Sequence, residues 1–367
     1  MQHNNIADMK GKILGLDEIP GGLRIAIYGS GDYGKQVYGT LRDRCEIPFF
    51  VDSFKAGECN GIPVLKLDDF LVRTAEIDLV VIASIMWFEI EDGLQNAGYE
   101  DFTTIGDNNL TLQVYTQEEA AQCEADFQRV ASLFADPEQK RLYQGLTACR
   151  CGNGSLRCLQ QDLAGISSMF SPMDRQYLDF VDFSCMRLLV EGGIFDGMNT
   201  AYFLDRMPAD ARLYGFDPLI SGRIVHQRAA DDERTVLMQA ALWDREAELH
   251  WNPSGGGGYV GEEFRPGSSP VKALSVDEFR KKGHAPVDFL KLDVEGAEMR
   301  VLEGARRTLV EDRPQLAISI YHSKRDFFEI PIFLSDLLED YTYQLGHYSP
   351  TLCETIFYGV PNEIVAV

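Results

Sequence analysis

Short apolar runs alternate with helix-like stretches along most of the chain, a pattern typical of parallel β-sheets flanked by helices. The alternation occurs twice, first over residues 22–106 and again over 188–367. Between them, residues 117–134 carry apolar side chains at helical spacing, and an Asp-Pro pair at 136–137 marks a further helix start. We therefore predict an α/β fold with two doubly wound, Rossmann-like sheets, the first of them small. A helical connector at 107–187 joins them and packs on the second domain.

The first domain carries a glycine motif in a strand-to-helix context. A strand-like run at 23–28 leads directly into Gly29, Gly31 and Gly34, and Asp52 follows the next strand. This Gly-x-Gly-x-x-Gly spacing, with an acid about 20 residues further on, is typical of a nucleotide site. We predict a nucleotide or nucleotide-sugar at these four residues. The alternative is a structural or oligomerising module that uses the glycines for tight turns. No catalytic Tyr/Lys pair follows, which disfavours a nucleotide-sugar oxidoreductase or epimerase.

The second domain opens with the stretch around which we organise the function. Apolar residues 188–190 predict a buried strand, Glu191 ends it, and Gly193 and Gly197 follow before an apolar helix start. A glycine at 193 lets the backbone approach a ligand closely, and the helix start offers free N–H groups. The spacing is Glu-x-Gly-x-x-x-Gly rather than that of a dinucleotide site. The stretch therefore predicts a cradle for an adenosine-bearing cofactor.

Acidic residues stand at three successive strand ends of this domain, Glu191, Asp217 and Asp293. In open α/β sheets ligands bind beyond the carboxyl ends of the strands. Glu191 would orient the loop and the ammonium of a methionine moiety, and Asp217 suits two ribose hydroxyls. A single strand-end acid is more often a helix cap, but the ordered trio indicates S-adenosylmethionine.

Composition and charge exclude several classes of partner. Apolar residues make up 45% of the chain and charged residues 25%, as in ordinary globular proteins. The net charge is −23 with no basic block, which argues against nucleic-acid binding. No apolar run reaches the roughly 18 residues that span a bilayer, and no signal peptide is evident, so we expect a cytoplasmic protein. The eight cysteines form no Cys-x-x-Cys pair.

From about residue 135 to 360 the chain resembles the FkbM-type, S-adenosylmethionine-dependent methyltransferases. The most specific segment reads Val-Asp-Phe-Leu-Lys-Leu-Asp-Val-Glu-Gly-Ala-Glu, at 287–298. The other resembling segments are 191–197, 214–218, and 318–322 with the later 345–349 and 354–355. The resemblance implies methylation of a hydroxyl on a sugar, glycan precursor or natural product. The N-terminal module resembles the small Rossmann domains attached to sugar-modifying enzymes of polysaccharide synthesis.

With this resemblance we place Asn199, Pro218 and Ala241 in the cofactor site beside the glycine loop and Asp217. Many family members have Asp where Met198 stands, and we expect Asn199 or Thr200 to substitute for it. The alternative function is a catalytically silent nucleotide-binding or scaffold protein. The oligomeric state stays open, with a homo-oligomer among the alternatives.

Methyl transfer to a hydroxyl needs a base, because the acceptor oxygen is a poor nucleophile until its proton leaves. Asp293 is the first candidate, since its strand should end near the transferred methyl group. His322, at the next strand end, is the second, because its unperturbed pKa suits a base near neutral pH. Glu295 and His347 are assigned to the acceptor, which we expect to be a small molecule or glycan. We expect Glu354 to shape the acceptor pocket together with His347.

Two further side chains near this strand raise questions of pairing. Lys291 lies in an apolar strand and needs a partner, for which Glu295 and Glu298 are candidates. Both glutamates also suit the first turn of a helix, where the macrodipole favours acids. Asp293 and Glu295 alone are too few ligands for a divalent ion, so we predict no metal.

Overall fold

The computed structural model describes residues 6–84, 87–105, 114–152, 175–184, 186–220, 225–254, 257–349 and 352–365. Parts of the predicted connector, at 107–113, 153–174 and 185, lie outside the described residues. Contacts divide the chain into two compact units. The first comprises residues 1–121, 145–171 and 349–353, and the second comprises 122–144, 172–348 and 354–367.

The first unit is a mixed, mainly parallel sheet with helices, as the sequence pattern predicted. Its strands are β1 (Ile13–Leu14), β2 (Ile25–Tyr28), β3 (Phe50–Val51), β4 (Gly57–Cys59), β5 (Ile62–Leu65), β6 (Leu79–Ile82) and β7 (Phe102–Ile105). Its helices are α1 (Asp32–Leu41), α2 (Leu67–Leu71) and α3 (Trp87–Asn96), with short 3-10 turns at Leu16–Glu18 and Thr74–Glu76. The strand order is β1-β7-β6-β2-β3-β5-β4, and β4 alone among them is antiparallel to its neighbour. Every residue of β2 and β6 is buried, because helices cover both faces of a parallel sheet.

Two long helices follow, α4 (Gln117–Leu133) and α5 (Pro137–Arg150). Residues 122–144 of this pair belong to the second unit. Within that unit the Tyr143 ring stacks on Phe327 with centroids 4.6 Å apart, and Phe127 meets Phe328 edge to face at 5.7 Å. Aromatic contacts therefore hold this helical segment to the second unit. No helix among the described residues has both the length and the apolar character to cross a membrane.

The second unit contains a larger sheet and a smaller one. The strands of the larger sheet are β8 (Leu188–Gly192), β9 (Arg212–Phe216), β10 (Thr235–Met238), β15 (Phe289–Leu292), β16 (Gln315–Ser319), β17 (Tyr341–His347) and β18 (Thr355–Pro361). The smaller sheet consists of β11 (Ala241–Leu242), β12 (Ala247–Ser254), β13 (Gly257–Gly261) and β14 (Ser269–Leu274). The helices are α6 (Met198–Arg206), α7 (Gln227–Asp231), α8 (Val276–Lys281), α9 (Glu298–Glu303), α10 (Arg306–Asp312), α11 (Asp326–Leu337) and α12 (Asn362–Val365).

The larger sheet brings its functional residues to one edge through its strand order, β10-β9-β8-β15-β16-β18-β17. Leu292 lies opposite both Gly192 and Ile318, so β8, β15 and β16 end at the same level. Strand β18 runs antiparallel to both neighbours, with Ile356 opposite Ser319. Its beginning, rather than its end, therefore lies where the parallel strands finish. The α/β architecture predicted from the sequence is confirmed.

Candidate active site

The loop after β8 requires glycine at both positions that the sequence motif singled out. Gly193 has φ +78°, and a Cβ there would lie 1.8 Å from the carbonyl oxygen of Asp293. Gly197 has φ +77°, and a Cβ there would lie 2.8 Å from Val225 Cγ1. The N–H of Gly193 donates to the carbonyl of Phe216 at 2.9 Å. The loop is therefore packed tightly between the ends of β9 and β15.

Glu191 supports this loop from the interior of the second unit. It is fully buried, and its Oε2 accepts a 2.6 Å hydrogen bond from Thr200 Oγ1. Lys291 Nζ lies 3.7 Å from Glu191 Oε1 and donates to the carbonyls of Gly192, at 3.3 Å, and Gly193. Burial raises the pKa of Glu191, and the Lys291 charge and the Thr200 hydrogen bond offset part of that rise. Lys291 thus pairs with Glu191, its neighbour in strand register, rather than with the two expected glutamates.

Asp217 connects the second strand to the glycine loop. Its Oδ2 accepts from the N–H of Phe195 at 3.1 Å, and its Oδ1 accepts from the N–H of Leu219 at 2.8 Å. Phe195 has φ +55°, an uncommon conformation for a bulky residue, and its side chain is exposed. Pro218 lies next in this turn and is partly buried. The structure therefore brings Asp217, Pro218 and the loop together, as the motif order suggested.

The other proposed cofactor residues have different surroundings. Asn199 lies in the first turn of α6, where its Oδ1 is buried without a hydrogen-bond partner. The N–H of Met198 donates to Asp196 Oδ1 at 3.1 Å, which fixes the start of the same helix. Ala241 begins β11 and is buried in an apolar cluster with Trp243. Asn199 thus offers a buried acceptor beside the loop, whereas Ala241 contributes an apolar surface.

Asp293 lies directly after β15 and is held by two hydroxyl groups. Its Oδ1 accepts from Ser319 Oγ at 3.1 Å and from Tyr321 OH at 3.1 Å, and its side chain remains 29% exposed. Burial acts to raise the pKa of Asp293, but the positive charges of Lys291 and His322 and the hydroxyl hydrogen bonds lower it below its usual value. Asp293 is therefore ionised at neutral pH.

His322 is surrounded by carboxylates. Its Nδ1 lies 2.9 Å from Glu298 Oε1, and its Nε2 lies 3.6 Å from both Asp293 Oδ1 and Glu295 Oε2. Burial alone would lower the pKa of His322, but the three negative charges raise it to about 10. The unperturbed pKa assumed for His322 in the sequence therefore does not apply here, because the neighbouring carboxylates favour the imidazolium at neutral pH.

Glu298 organises the turn that carries Asp293. It is fully buried, and it accepts from the N–H of Val294 at 2.7 Å and from that of Gly296 at 3.0 Å. The side-chain atoms of Asp293, Glu298 and His322 that could bind a metal ion all lie within 4.8 Å of one another, a spacing that suits a cation. The His322 imidazolium supplies positive charge there, and backbone N–H groups take both Glu298 oxygens. We therefore assign no metal to these residues.

The two residues predicted for the acceptor lie in different places. Glu295 adopts φ +56°, and its side chain is 64% exposed beside His322. His347 ends β17, is buried, and places its Nδ1 2.9 Å from Thr355 Oγ1. Strand β18 separates β17 from β16. Glu295 thus joins the group around Asp293, whereas His347 lies further along the same edge.

Gln176 and Tyr177 are site residues that received no role from the sequence, and Glu354 received only the role of shaping the acceptor pocket with His347. Tyr177 OH lies 3.1 Å from Ser319 Oγ, and Lys291 Nζ lies 4.8 Å from the centre of the Tyr177 ring. Gln176 Nε2 donates to Glu354 Oε2. All three stood within segments that resemble the methyltransferase family, which was the available signal.

The glycine loop of the first unit shows three different environments. A Cβ at Gly29, where φ is +116°, would lie 2.3 Å from the carbonyl oxygen of Ala83. A Cβ at Gly34 would lie 1.9 Å from the carbonyl oxygen of Gly29. Nothing lies within 4 Å of a Cβ placed at Gly31. The first and third glycines therefore serve the turn and the helix packing, and the second faces open space.

Asp52 closes this loop through hydrogen bonds within its own unit. Its Oδ2 accepts from the N–H of Ser30 at 3.0 Å and from Ser30 Oγ at 2.5 Å. Its Oδ1 accepts from the N–H groups of Phe54, at 2.9 Å, and Lys55, at 3.2 Å. Burial opposes ionisation, but these hydrogen bonds hold the pKa of Asp52 below its usual value. A ribose contact at Asp52 would have to displace one of these donors.

Comparisons with known proteins identify a similar family and a similar fold. Residues 199–345 match the model of the methyltransferase FkbM domain. The crystal structure of methyltransferase FkbM from Methylobacillus flagellatus KT superposes with a TM-score of 0.72 at 18% identity, covering 97% of this chain and 92% of that one. At that identity the likeness shows a shared fold. No curated protein matches the chain.

Two solved structures with bound S-adenosylmethionine are more distant. Fibrillarin from Aeropyrum pernix matches with a TM-score of 0.33 at 15% identity, over 50% of this chain and 71% of that one. The O-methyltransferase TomG from Streptomyces achromogenes, involved in tomaymycin synthesis, matches with a TM-score of 0.32 at 10% identity, over 65% and 96%.

Proposed function

We propose that this chain, which carries an FkbM-type methyltransferase domain, transfers a methyl group from S-adenosylmethionine to a hydroxyl oxygen of a sugar, glycan precursor or related small molecule. One observation carries the proposal: the loop after β8 contacts both strand-end acids. Its Phe195 N–H donates to Asp217, and its Gly193 packs on the carbonyl of Asp293. The proposed cofactor loop and Asp293, the acid proposed to face the methyl acceptor, therefore lie at the same edge of the sheet.

The residues present fit the cofactor. Asp217 is an acidic side chain whose two oxygens accept the N–H groups of Phe195 and Leu219, and a carboxylate at this strand end suits ribose hydroxyls. The buried Oδ1 of Asn199 is an unpaired acceptor suited to an ammonium donor. Gly193 and Gly197 let the loop pack against Asp293 and Val225, which fixes the loop at the end of β15. When bound, S-adenosylmethionine supplies an electrophilic methyl group on a positively charged sulfur.

The group around Asp293 fits a neutral acceptor rich in hydroxyls. Asp293 offers an ionised oxygen to accept a hydrogen bond from the acceptor, and the His322 imidazolium donates beside it. Glu295 adds an exposed carboxylate. Such groups align a polyhydroxyl molecule, and alignment and the exclusion of water supply much of the acceleration of a displacement reaction.

A calorimetric titration with S-adenosylhomocysteine tests the cofactor assignment. The full-length protein should bind it, and Asp217→Ala should weaken the affinity by about 10- to 100-fold through loss of charge-assisted hydrogen bonds. Asp210→Ala, at an exposed carboxylate paired with Arg187, serves as the control and should bind like the wild type. The absence of heat at high micromolar ligand would refute the enzyme proposal.

A catalytically silent scaffold is the second candidate, favoured by Met198 in the first turn of the cofactor helix. It predicts binding of S-adenosylhomocysteine without methyl transfer. Restoring the family's acid through Met198→Asp separates the two functions. If affinity rises and transfer to a panel of methyl glycosides appears only in the variant, the scaffold is correct; turnover by the wild type supports the enzyme.

For the first unit we propose a nucleotide or nucleotide-sugar as the ligand of the glycine loop, supported by the open space beside Gly31. The internal hydrogen bonds of Asp52 favour the alternative, a structural module. Full-length protein should be titrated with NAD and with UDP-glucose. Heat that Gly31→Val abolishes supports a ligand, and the absence of heat assigns the glycines to turn and packing roles.

A further inference from the structure

The proposed methyl transfer leaves one chemical requirement unmet, a base for the acceptor proton. Asp293 is ionised, but its lowered pKa and its two hydroxyl hydrogen bonds make its carboxylate a weak base. His322 already holds a proton at neutral pH. A general base works best when its pKa lies near the working pH. Neither predicted residue meets that condition.

Glu354 occupies the neighbouring position on the edge of the sheet. It directly precedes β18, whose beginning lies beside the end of β16 because the two strands are antiparallel. Its backbone has φ +55°, in the left-handed region that non-glycine residues seldom adopt. Such conformations persist where the surrounding structure enforces them, and they concentrate at active sites.

The carboxyl group of Glu354 is held by the segment that precedes the sheet. Gln176, which is only 3% exposed, donates from Nε2 to Glu354 Oε2. The next residue, Tyr177, contacts Ser319, which in turn donates to Asp293. Two consecutive residues therefore reach the two carboxyl groups. Gln176 orients Glu354, and Tyr177 supports the hydroxyl that orients Asp293.

The surroundings of Glu354 also suit proton transfer. Burial and the negative charge of Asp293 raise the pKa of Glu354 to about 7, against the lowering effect of the Gln176 hydrogen bond. As a whole, residue Glu354 is partly exposed. The titratable groups that act on it are Asp293, His322, Tyr177 and Tyr321.

We propose, building on the methyl transfer proposed above, that Glu354 is a further catalytic residue whose carboxylate accepts the proton of the acceptor hydroxyl. The acceptor O–H bond breaks towards Glu354 while the new O–CH₃ bond forms. The S–CH₃ bond breaks and its electron pair stays on sulfur. The products are the methyl ether, S-adenosylhomocysteine and protonated Glu354, which returns its proton to solvent. Gln176 is the positioning residue for this step.

Glu354→Gln tests the assignment, because glutamine retains an acceptor for Gln176 but cannot take a proton. Methyl transfer to a panel of methyl glycosides should fall by about 10²- to 10⁴-fold, the usual contribution of a general base. Affinity for S-adenosylhomocysteine should stay within about twofold. Glu339→Gln, an exposed glutamate of the same unit, should behave as wild type. Unchanged turnover in Glu354→Gln would overturn the proposal.

A second measurement needs no acceptor. In protein labelled with [5-¹³C]glutamate, the resonance missing from Glu354→Gln identifies this carboxyl group, and its chemical shift should titrate near pH 7. Gln176→Leu removes a donor that favours the carboxylate and should move the midpoint upward. A midpoint below pH 5 would overturn the assignment even if no glycoside is methylated. Failure of the wild type to bind S-adenosylhomocysteine would instead refute the proposed function itself.

Discussion

Replacing Glu354 by glutamine should stabilise the second unit at alkaline pH, the opposite of its effect on turnover. The pKa of Glu354 is raised from 4.5 to about 7 in the folded protein, so the folded state holds a proton that the unfolded chain releases. Stability therefore falls as the pH rises through this range. Each pKa unit corresponds to about 1.4 kcal/mol, so the ionised carboxylate destabilises the native state by about 3 kcal/mol above pH 8. At pH 5 the same calculation gives a destabilisation of only about 1 kcal/mol.

Urea unfolding at pH 5 and pH 8.5 measures this difference. The chain has three tryptophans; Trp87 lies in the first unit and Trp243 and Trp251 in the second. In a Trp87→Phe background, tryptophan fluorescence therefore reports on the unit that contains Glu354. The stability gained by Glu354→Gln should grow by about 2–3 kcal/mol between the two pH values. A gain that does not change with pH would refute the electrostatic reasoning.

Three further predictions follow from contacts described above. Glu298→Gln should lower the pKa of His322 from about 10 towards 6.5, and the change should be visible in the NMR shifts of the imidazole ring. In the wild type, the imidazolium contributes its full stabilisation below pH 6.5 and loses it as the pH approaches 10. A pKa that stays near 10 would assign the charge to the other carboxylates. Lys291→Met should lower the free energy of unfolding by about 3–5 kcal/mol, because it leaves a buried carboxylate unpaired; a loss below about 1 kcal/mol in urea titration would contradict this. Gly34→Ala should destabilise the first unit by about 1–3 kcal/mol in thermal unfolding whereas Gly31→Ala should not, and equal effects would show that the loop relaxes freely.

Local pattern was sufficient for the fold and for the acids that end strands. Parallel strands finish at a common edge, so Asp217 and Asp293 could be placed beside the glycine loop from their positions in the chain. The conformations required of Gly193 and Gly197 follow from the same strand–loop–helix pattern. These features depend on residues that are near one another in sequence or on a general property of parallel sheets.

The pairing of the strands in the folded protein determines the side-chain contacts that the sequence alone could not show. Lys291 pairs with Glu191 because β15 lies beside β8, although about a hundred residues separate them in sequence. His322 gains its charge from three carboxylates on one turn, which no single-residue pKa anticipates. The sequence placed Glu354 near the acceptor but did not indicate a base role, because only the antiparallel direction of β18 places the beginning of that strand beside Asp293. Periodicity shows that a strand exists but not which way it runs.

The discontinuity of the second unit limits how its chemistry can be transplanted between proteins. The family match spans 199–345, yet Gln176 and Glu191 precede that range and Glu354 follows it. A chimera exchanged at those limits would take its cofactor helix from the donor. The acid beneath the glycine loop and the proposed proton acceptor would come from the recipient. Acceptor preference in such a hybrid should therefore follow both parents, and a transferable catalytic segment has to include residues 172–365.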